Sequence, residues 1–173
     1  EDIISWSRGQ PWFQEPFVLA GHSLGGFCVA LYAEKHPNQV KGLTPISPVV
    51  SGPLMIDAYK QYAPDVLKEW EKTGWRIRES ISKPGHILKL KWSFIKDGEA
   101  YDLLPKAQSL TMPVLLVVGE LDESTPPEHA RLLFDRITAK KELHVIEGAR
   151  HNFRKENELQ ELGNLCKSWL KNL

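Results

Sequence analysis

The sequence predicts an α/β fold, a parallel sheet with flanking helices and an inserted helix-plus-hairpin cap, on three observations. Short β-rich apolar runs alternate with helix-period segments along the chain, the pattern of strands joined by crossover helices. The longest runs, Pro113 to Val118 and Phe17 to Ala20, have the length of buried strands and fall far short of the ~20 residues that span a bilayer. The alternation is interrupted between Ser51 and Leu110, where antiparallel hairpin chemistry replaces it.

Taken in order, Asp2 to Trp6 is a short amphipathic lead-in closed by Pro11 and Pro16, and Phe17 to Ala20 is the first strand. Gly21 to Gly26 is a turn. From Leu24 to Glu34 the apolar residues Phe27, Cys28, Ala30, Leu31 and Tyr32 occupy most faces, as in a buried helix ending before Pro37. Val40 to Ile46 is the next strand, with Pro45 expected at a bulge or at the strand end because it lacks a ladder donor. In the interruption, Met55 to Tyr62 and Pro64 to Lys72 are helical and Gly74 ends them. Trp75 and Ile77 then lead to a Lys83-Pro84-Gly85 turn, after which Leu88, Leu90, Trp92 and Phe94 alternate with polar residues as a return strand. Pro113 to Gly119 is a strong strand. Thr125-Pro126-Pro127-Glu128 reads as a helix start, with Thr125 and Glu128 forming a capping box. Glu142 to Ile146 is a further strand, and Leu159, Leu162, Cys166, Trp169 and Leu170 mark a final amphipathic helix. The organisation expected is core over 1–50, cap over 51–110 and core again over 111–173.

Composition narrows the function. At 173 residues the chain is one compact domain or the larger part of one. Its 22 basic residues balance 22 acidic ones, so no electrostatic footprint exists for nucleic acid or for an anionic membrane surface. Two cysteines, Cys28 and Cys166, make no disulfide framework, and no Cys/His cluster has zinc spacing; a reducing, cytoplasmic setting is expected. Cys28 itself reads as a small core residue and not as a nucleophile.

Chemistry concentrates in Gly21-His22-Ser23-Leu24-Gly25-Gly26, a G-x-S-x-G run between a strand and a helix. A serine there must sit on a strained turn that lifts its hydroxyl clear of the sheet, and small residues two before and two after let strand and helix approach. The Leu24 N–H, opening the helix, points toward a developing oxyanion with the helix dipole behind it. His22 is expected to be structural, its side chain directed away from the nucleophile. A serine hydroxyl needs a base, and the base an orienting carboxylate. Candidates lie beyond the C-terminal ends of the late strands, where open α/β sheets carry their functional groups: Glu120, Asp122 and Glu123, then His151. The remaining histidines, His36, His86, His129 and His144, read as surface or turn residues.

These three segments, in the order Ser, Asp, His, resemble the α/β-hydrolase family from about Phe17 to the C-terminus. The resemblance picks Asp122, in a G-x-x-D-x-x-x-P segment, over its two glutamate neighbours, and His151 in G-x-x-H-x-F. The hairpin insertion and Tyr101-Asp102-Leu103-Leu104 are similar to lidded carboxylesterases of the cinnamoyl or feruloyl esterase type. The resemblance implies ester hydrolysis of a small-molecule substrate by Ser23, His151 and Asp122, with no metal or organic cofactor. Trp75, Trp92 and Phe94 then become candidates to line an aromatic acyl pocket, against the plainer reading that they pack the cap. It also implies that the family's first four strands precede Phe17, together with the loop that supplies a second oxyanion N–H. On that reading the chain is a fragment, and Phe17 to Ala20 forms a bare sheet edge matched by the missing N-terminal half or by a second copy. Two other classes stay open: a fold kept for binding without hydrolysis, and the same triad turned to peptidase, thioesterase, acyltransferase or haloperoxidase chemistry.

Overall fold

A computed structural model describes residues 2–80 and 83–173. In chain order the elements are α1 (Asp2–Ser7), β1 (Phe17–His22), α2 (Leu24–Lys35), β2 (Val40–Ile46), α3 (Gly52–Tyr62), α4 (Pro64–Thr73), β3 (Trp75–Glu79), β4 (Ile87–Lys91), α5 (Ser93–Gly98), β5 (Val114–Gly119), α6 (Pro127–Arg136), β6 (Lys141–Ile146) and α7 (Glu156–Leu170). Short 3-10 turns occupy Pro37–Gln39 and Leu104–Ser109. The chain divides into two compact units, Glu1–Val50 with Leu103–Leu173, and Ser51–Asp102. The second boundary falls at Asp102 and not at Leu110, because Leu103, Ala107 and Leu110 are fully buried and the Leu103 N–H bonds the Val50 carbonyl.

The first unit is a parallel sheet in the order β1-β2-β5-β6. All six residues of β5 are buried, as expected of a central strand covered on both faces. Pro45 sits next to last in β2, opposite Gly21, where a missing donor interrupts little of the ladder. Strand β1 pairs with β2 alone and lies at the sheet edge. Its exposure alternates, with Val18, Ala20 and His22 exposed, so the strand is half-covered and not buried. Under the C-terminal ends, Leu115, Val117, Ile146, Ala149, Phe153 and Trp169 form one packed cluster.

Two helices differ from expectation in which face they bury. Helix α2 buries Gly26, Phe27, Ala30 and Ala33, one stripe at spacings of three and four, which leaves Cys28 exposed on the opposite side. In α7 Leu159 and Leu170 face outward, while Leu162, Leu165, Cys166 and Trp169 pack on the sheet cluster. Burial also pushes the Cys166 thiol pKa up, which makes it inert at neutral pH.

The second unit contains α3, α4, the antiparallel β3–β4 hairpin and α5. Its core is Ile56, Trp70 and Ile95. The return strand ends at Lys91, and Trp92 and Phe94 do not continue it: Trp92 has helical dihedrals and Phe94 lies in α5. Continued alternation would keep Trp92 and Phe94 on one face and turn Ile95 to the other. Instead Trp92 meets Trp70 edge-on at 5.9 Å, Phe94 stacks on it at 6.2 Å, and Ile95 is buried beside it. Among the described residues no helix is long and apolar enough to cross a membrane.

Candidate active site

Ser23 stands between the last residue of β1 and the first of α2 with φ 55° and ψ −123°. This positive-φ conformation lies outside the allowed regions, and a non-glycine residue holds it only when its surroundings fix it. They do so here. The Ser23 N–H bonds the Ile46 carbonyl at 2.9 Å, extending the β1–β2 ladder by one step, and the Ser23 carbonyl accepts from the Phe27 N–H at 3.1 Å. The close approach behind the turn depends on Gly21 and Gly26. A Cβ on Gly21 would lie 2.4 Å from the Gly25 carbonyl oxygen, and one on Gly26 would lie 2.9 Å from the Gly21 oxygen. Gly25, the second glycine of the motif, would place its Cβ in open space, so the position that excludes a side chain beside Gly21 is 26 and not 25.

Asp122 follows β5 in a turn closed by its own N–H on the Gly119 carbonyl. One carboxylate oxygen, Oδ1, accepts the Ser124 and Thr125 N–H groups, each at 2.9 Å. The other, Oδ2, lies 2.8 Å from His151 Nδ1 and 2.9 Å from Thr125 Oγ1. Burial of the carboxyl raises its pKa, but the hydrogen bonds from His151 and from the Thr125 backbone outweigh it and hold the group at about 2. Asp122 is therefore ionised at neutral pH and can only accept.

His151 follows β6 through a turn at Gly148 with φ 64°. The Leu121 N–H bonds the Ala149 carbonyl at 2.8 Å, tying the aspartate and histidine segments together. A Cβ on Gly119 would strike that same carbonyl at 2.5 Å, so the end of β5 admits only glycine there. Because the carboxylate is acceptor-only, the imidazole proton sits on Nδ1. Its free Nε2 lone pair faces Ser23 Oγ at 2.9 Å, and the hydroxyl donates to it.

The rival carboxylates are engaged elsewhere. Glu120 Oε2 accepts the Gly148 N–H, and Glu123 pairs with Arg150 on the surface. Leu24 opens α2, so its N–H is one of the first-turn donors without an intrahelical acceptor. His22 lays its ring 4.8 Å from that of His151 and donates from Nε2 to the His151 carbonyl at 2.7 Å. A carbonyl partner fixes the proton on Nε2. Trp75, Trp92 and Phe94 all belong to the second unit. There Trp92 and Phe94 pack on Trp70, while Trp75 stays partly exposed with Lys91 Nζ 5.4 Å from its ring.

Sequence reasoning missed Thr125 as a site residue, since its place before two prolines reads as a cap. Helix α6 is capped at Pro126 and begins at Pro127, which leaves the Thr125 side chain for the acid. Three non-glycine residues with positive φ, Ser23, Ser47 and Phe153, surround this constellation among the described residues. No group of three or more His, Cys, Asp and Glu side chains suited to a metal ion occurs among the described residues.

Ser23 after β1, Asp122 after β5 and His151 after β6 are thus brought together at one end of a parallel sheet. The chain belongs to the α/β-hydrolase superfamily. A family model of the α/β hydrolase fold matches residues 10–73, and a model of serine aminopeptidase, S33, matches residues 89–158. The chain is 31% identical over 125 residues to the Mus musculus protein named palmitoyl-protein thioesterase ABHD10, mitochondrial; the match takes in 72% of this chain and 41% of that protein. It thus spans about two fifths of the length of the curated relatives it matches. The solved structure of mouse alpha/beta hydrolase domain-containing protein 10 superposes with a TM-score of 0.75 at 24% identity, covering 99% of this chain and 67% of that one. A Paleococcus ferrophilus monoacylglycerol lipase gives a TM-score of 0.68 at 26% identity over 98% of this chain and 71% of its own. Est1E from Butyrivibrio proteoclasticus gives 0.70 at 20% identity, covering 98% of this chain and 65% of that one.

Proposed function

We propose that the chain carries the catalytic triad of a serine hydrolase that cleaves carboxylic esters through an acyl-enzyme. The observation that carries this reading is the continuous hydrogen-bond chain Ser23 Oγ, His151, Asp122 at 2.9 and 2.8 Å. As Ser23 Oγ attacks the ester carbonyl, its proton passes to His151 Nε2, and the carbonyl oxygen becomes an oxyanion against the Leu24 N–H. The imidazolium so formed is stabilised by the ionised Asp122. Collapse of the tetrahedral adduct breaks the acyl–alkoxy bond, and His151 returns the proton to the leaving alcohol. Water repeats the sequence: it gives a proton to Nε2, attacks the acyl carbon, and releases the acid as Ser23 recovers its proton. Replacing Ser23 by Ala is expected to abolish both fluorophosphonate labelling and turnover of a short p-nitrophenyl ester. A parent protein inert to both reagents overturns the reading.

A second reading is thioester hydrolysis with the same residues. It is supported by the relatives named palmitoyl-protein thioesterases and by the lower barrier to expelling a thiolate. Parallel assays with p-nitrophenyl and acyl-thioester substrates of equal chain length decide between them by the ratio of kcat/KM.

We also propose that the free edge of β1 is covered by a further polypeptide, either the N-terminal strands of the same fold or a second copy. The pairing of β1 with β2 alone, which leaves the backbone groups of its outer edge without a strand partner among the described residues, supports this. Light scattering on the purified 173-residue chain is expected to show association or aggregation. A monomer that unfolds cooperatively overturns it.

A further inference from the structure

We propose that Thr125 is a positioning residue of this site, its hydroxyl holding the Asp122 carboxylate on His151 from an anchor at the end of β2. The inference rests on the serine-hydrolase reading above and adds a residue to it. Thr125 is buried, and its Oγ1 lies 2.9 Å from Asp122 Oδ2, 3.0 Å from the Ser47 carbonyl oxygen and 3.3 Å from His151 Nδ1. A threonine hydroxyl has one proton to give. Both nearby oxygens are acceptors, so the proton is shared between them, with the larger share on the charged carboxylate.

The two carboxylate oxygens are held differently, and this gives the hydroxyl its role. Oδ1 is fixed by two backbone N–H groups of its own turn. Oδ2, the oxygen nearer Nδ1, has no backbone donor and is held by the Thr125 hydroxyl in addition to the imidazole. Without that hydroxyl the carboxylate keeps its Oδ1 anchor but can twist about it, and Nδ1 already stands 3.1 Å from Oδ1 as an alternative. The anchor itself is firm. Ser47 is fully buried with φ 41°, and its N–H bonds the Val117 carbonyl at 2.7 Å, so its own carbonyl is aimed by the β2–β5 ladder. Thr125 therefore couples the aspartate turn after β5 to the strand beside it. The helix that follows does not need the side chain, since Pro126 is its cap residue.

The test is a double-mutant cycle on the protein expressed with whatever flanking sequence its gene encodes, using a p-nitrophenyl ester. Thr125→Val is expected to lower kcat about 10 to 100-fold, the loss of one hydrogen bond to a charged group, with KM within about twofold. Thr125→Ser, which keeps the hydroxyl, is expected to recover most of that loss. Combined with Asp122→Asn, Thr125→Val is expected to add little further loss, because its action passes through the carboxylate. A Thr125→Val enzyme within about threefold of the parent, or a loss fully additive with Asp122→Asn, overturns the inference while Ser23→Ala remains inactive. Retained activity in Ser23→Ala overturns the underlying reading instead. Should Thr125→Val not fold, Thr125→Ala carries the same comparison.

Discussion

Asp122→Asn is expected to lower kcat on a p-nitrophenyl ester by about 10³ to 10⁴-fold while leaving the fold intact. The structure dictates which way the amide turns. The Ser124 and Thr125 N–H groups both donate to the Oδ1 position, so the asparagine oxygen must occupy it. That leaves the NH₂ at the Oδ2 position, 2.8 Å from His151 Nδ1. A donor there forces Nδ1 to accept and moves the imidazole proton to Nε2, where it can no longer take the proton of Ser23. Circular dichroism separates this from misfolding. The same substitution alters acid stability. In the folded chain the Asp122 pKa lies at about 2, below its ordinary 3.8. A depressed carboxylate contributes stability that is complete above the unfolded value and is lost as the pH falls through the folded one. The parent is thus expected to lose stability between about pH 4 and pH 2 more steeply than Asp122→Asn, measured by denaturant unfolding across that range. Equal pH dependence in the two proteins contradicts the assignment.

The second large effect separates the glycines of the nucleophile turn. Gly21→Ala puts a Cβ 2.4 Å from a backbone oxygen that no rotamer change can move. It is expected to destabilise the chain by about 3 kcal/mol or more and to abolish fluorophosphonate labelling. Gly25→Ala meets nothing within 4 Å and is expected to fold within about 0.5 kcal/mol of the parent. Thermal unfolding of the two variants side by side is the measurement. Equal destabilisation would mean that the strand-to-helix approach at Gly21 is looser than the structure has it.

The line between what is legible in the sequence and what is not runs along the difference between local and distant causes. Strands β1, β2, β5 and β6 and helices α2, α6 and α7 follow from periodicity and from Gly/Pro punctuation, which act within a few residues. The Ser23, Asp122 and His151 segments are legible because each carries its residue in a short motif just past a strand end. The return strand of the hairpin ends at Lys91, short of the period of two that Trp92 and Phe94 fit. Trp70, some twenty residues earlier, is what draws Ile95 inward and starts a helix instead. The partner of His22 is not legible for the same reason, since it is the carbonyl of His151, 129 positions along the chain.

The sequence alone therefore determined the fold class, the succession of strands and helices along the chain, and a Ser, an Asp and a His each placed just past a strand end. The tertiary structure shows how Asp122, already favoured by its motif, reaches His151 while Glu120 and Glu123 bond elsewhere. It likewise decided that position 26 and not position 25 needs a glycine, and that the Thr125 side chain bonds Asp122 and does not cap the helix. Each of those choices depends on which groups the folded chain brings within about 3 Å of one another, and no period or motif encodes that distance.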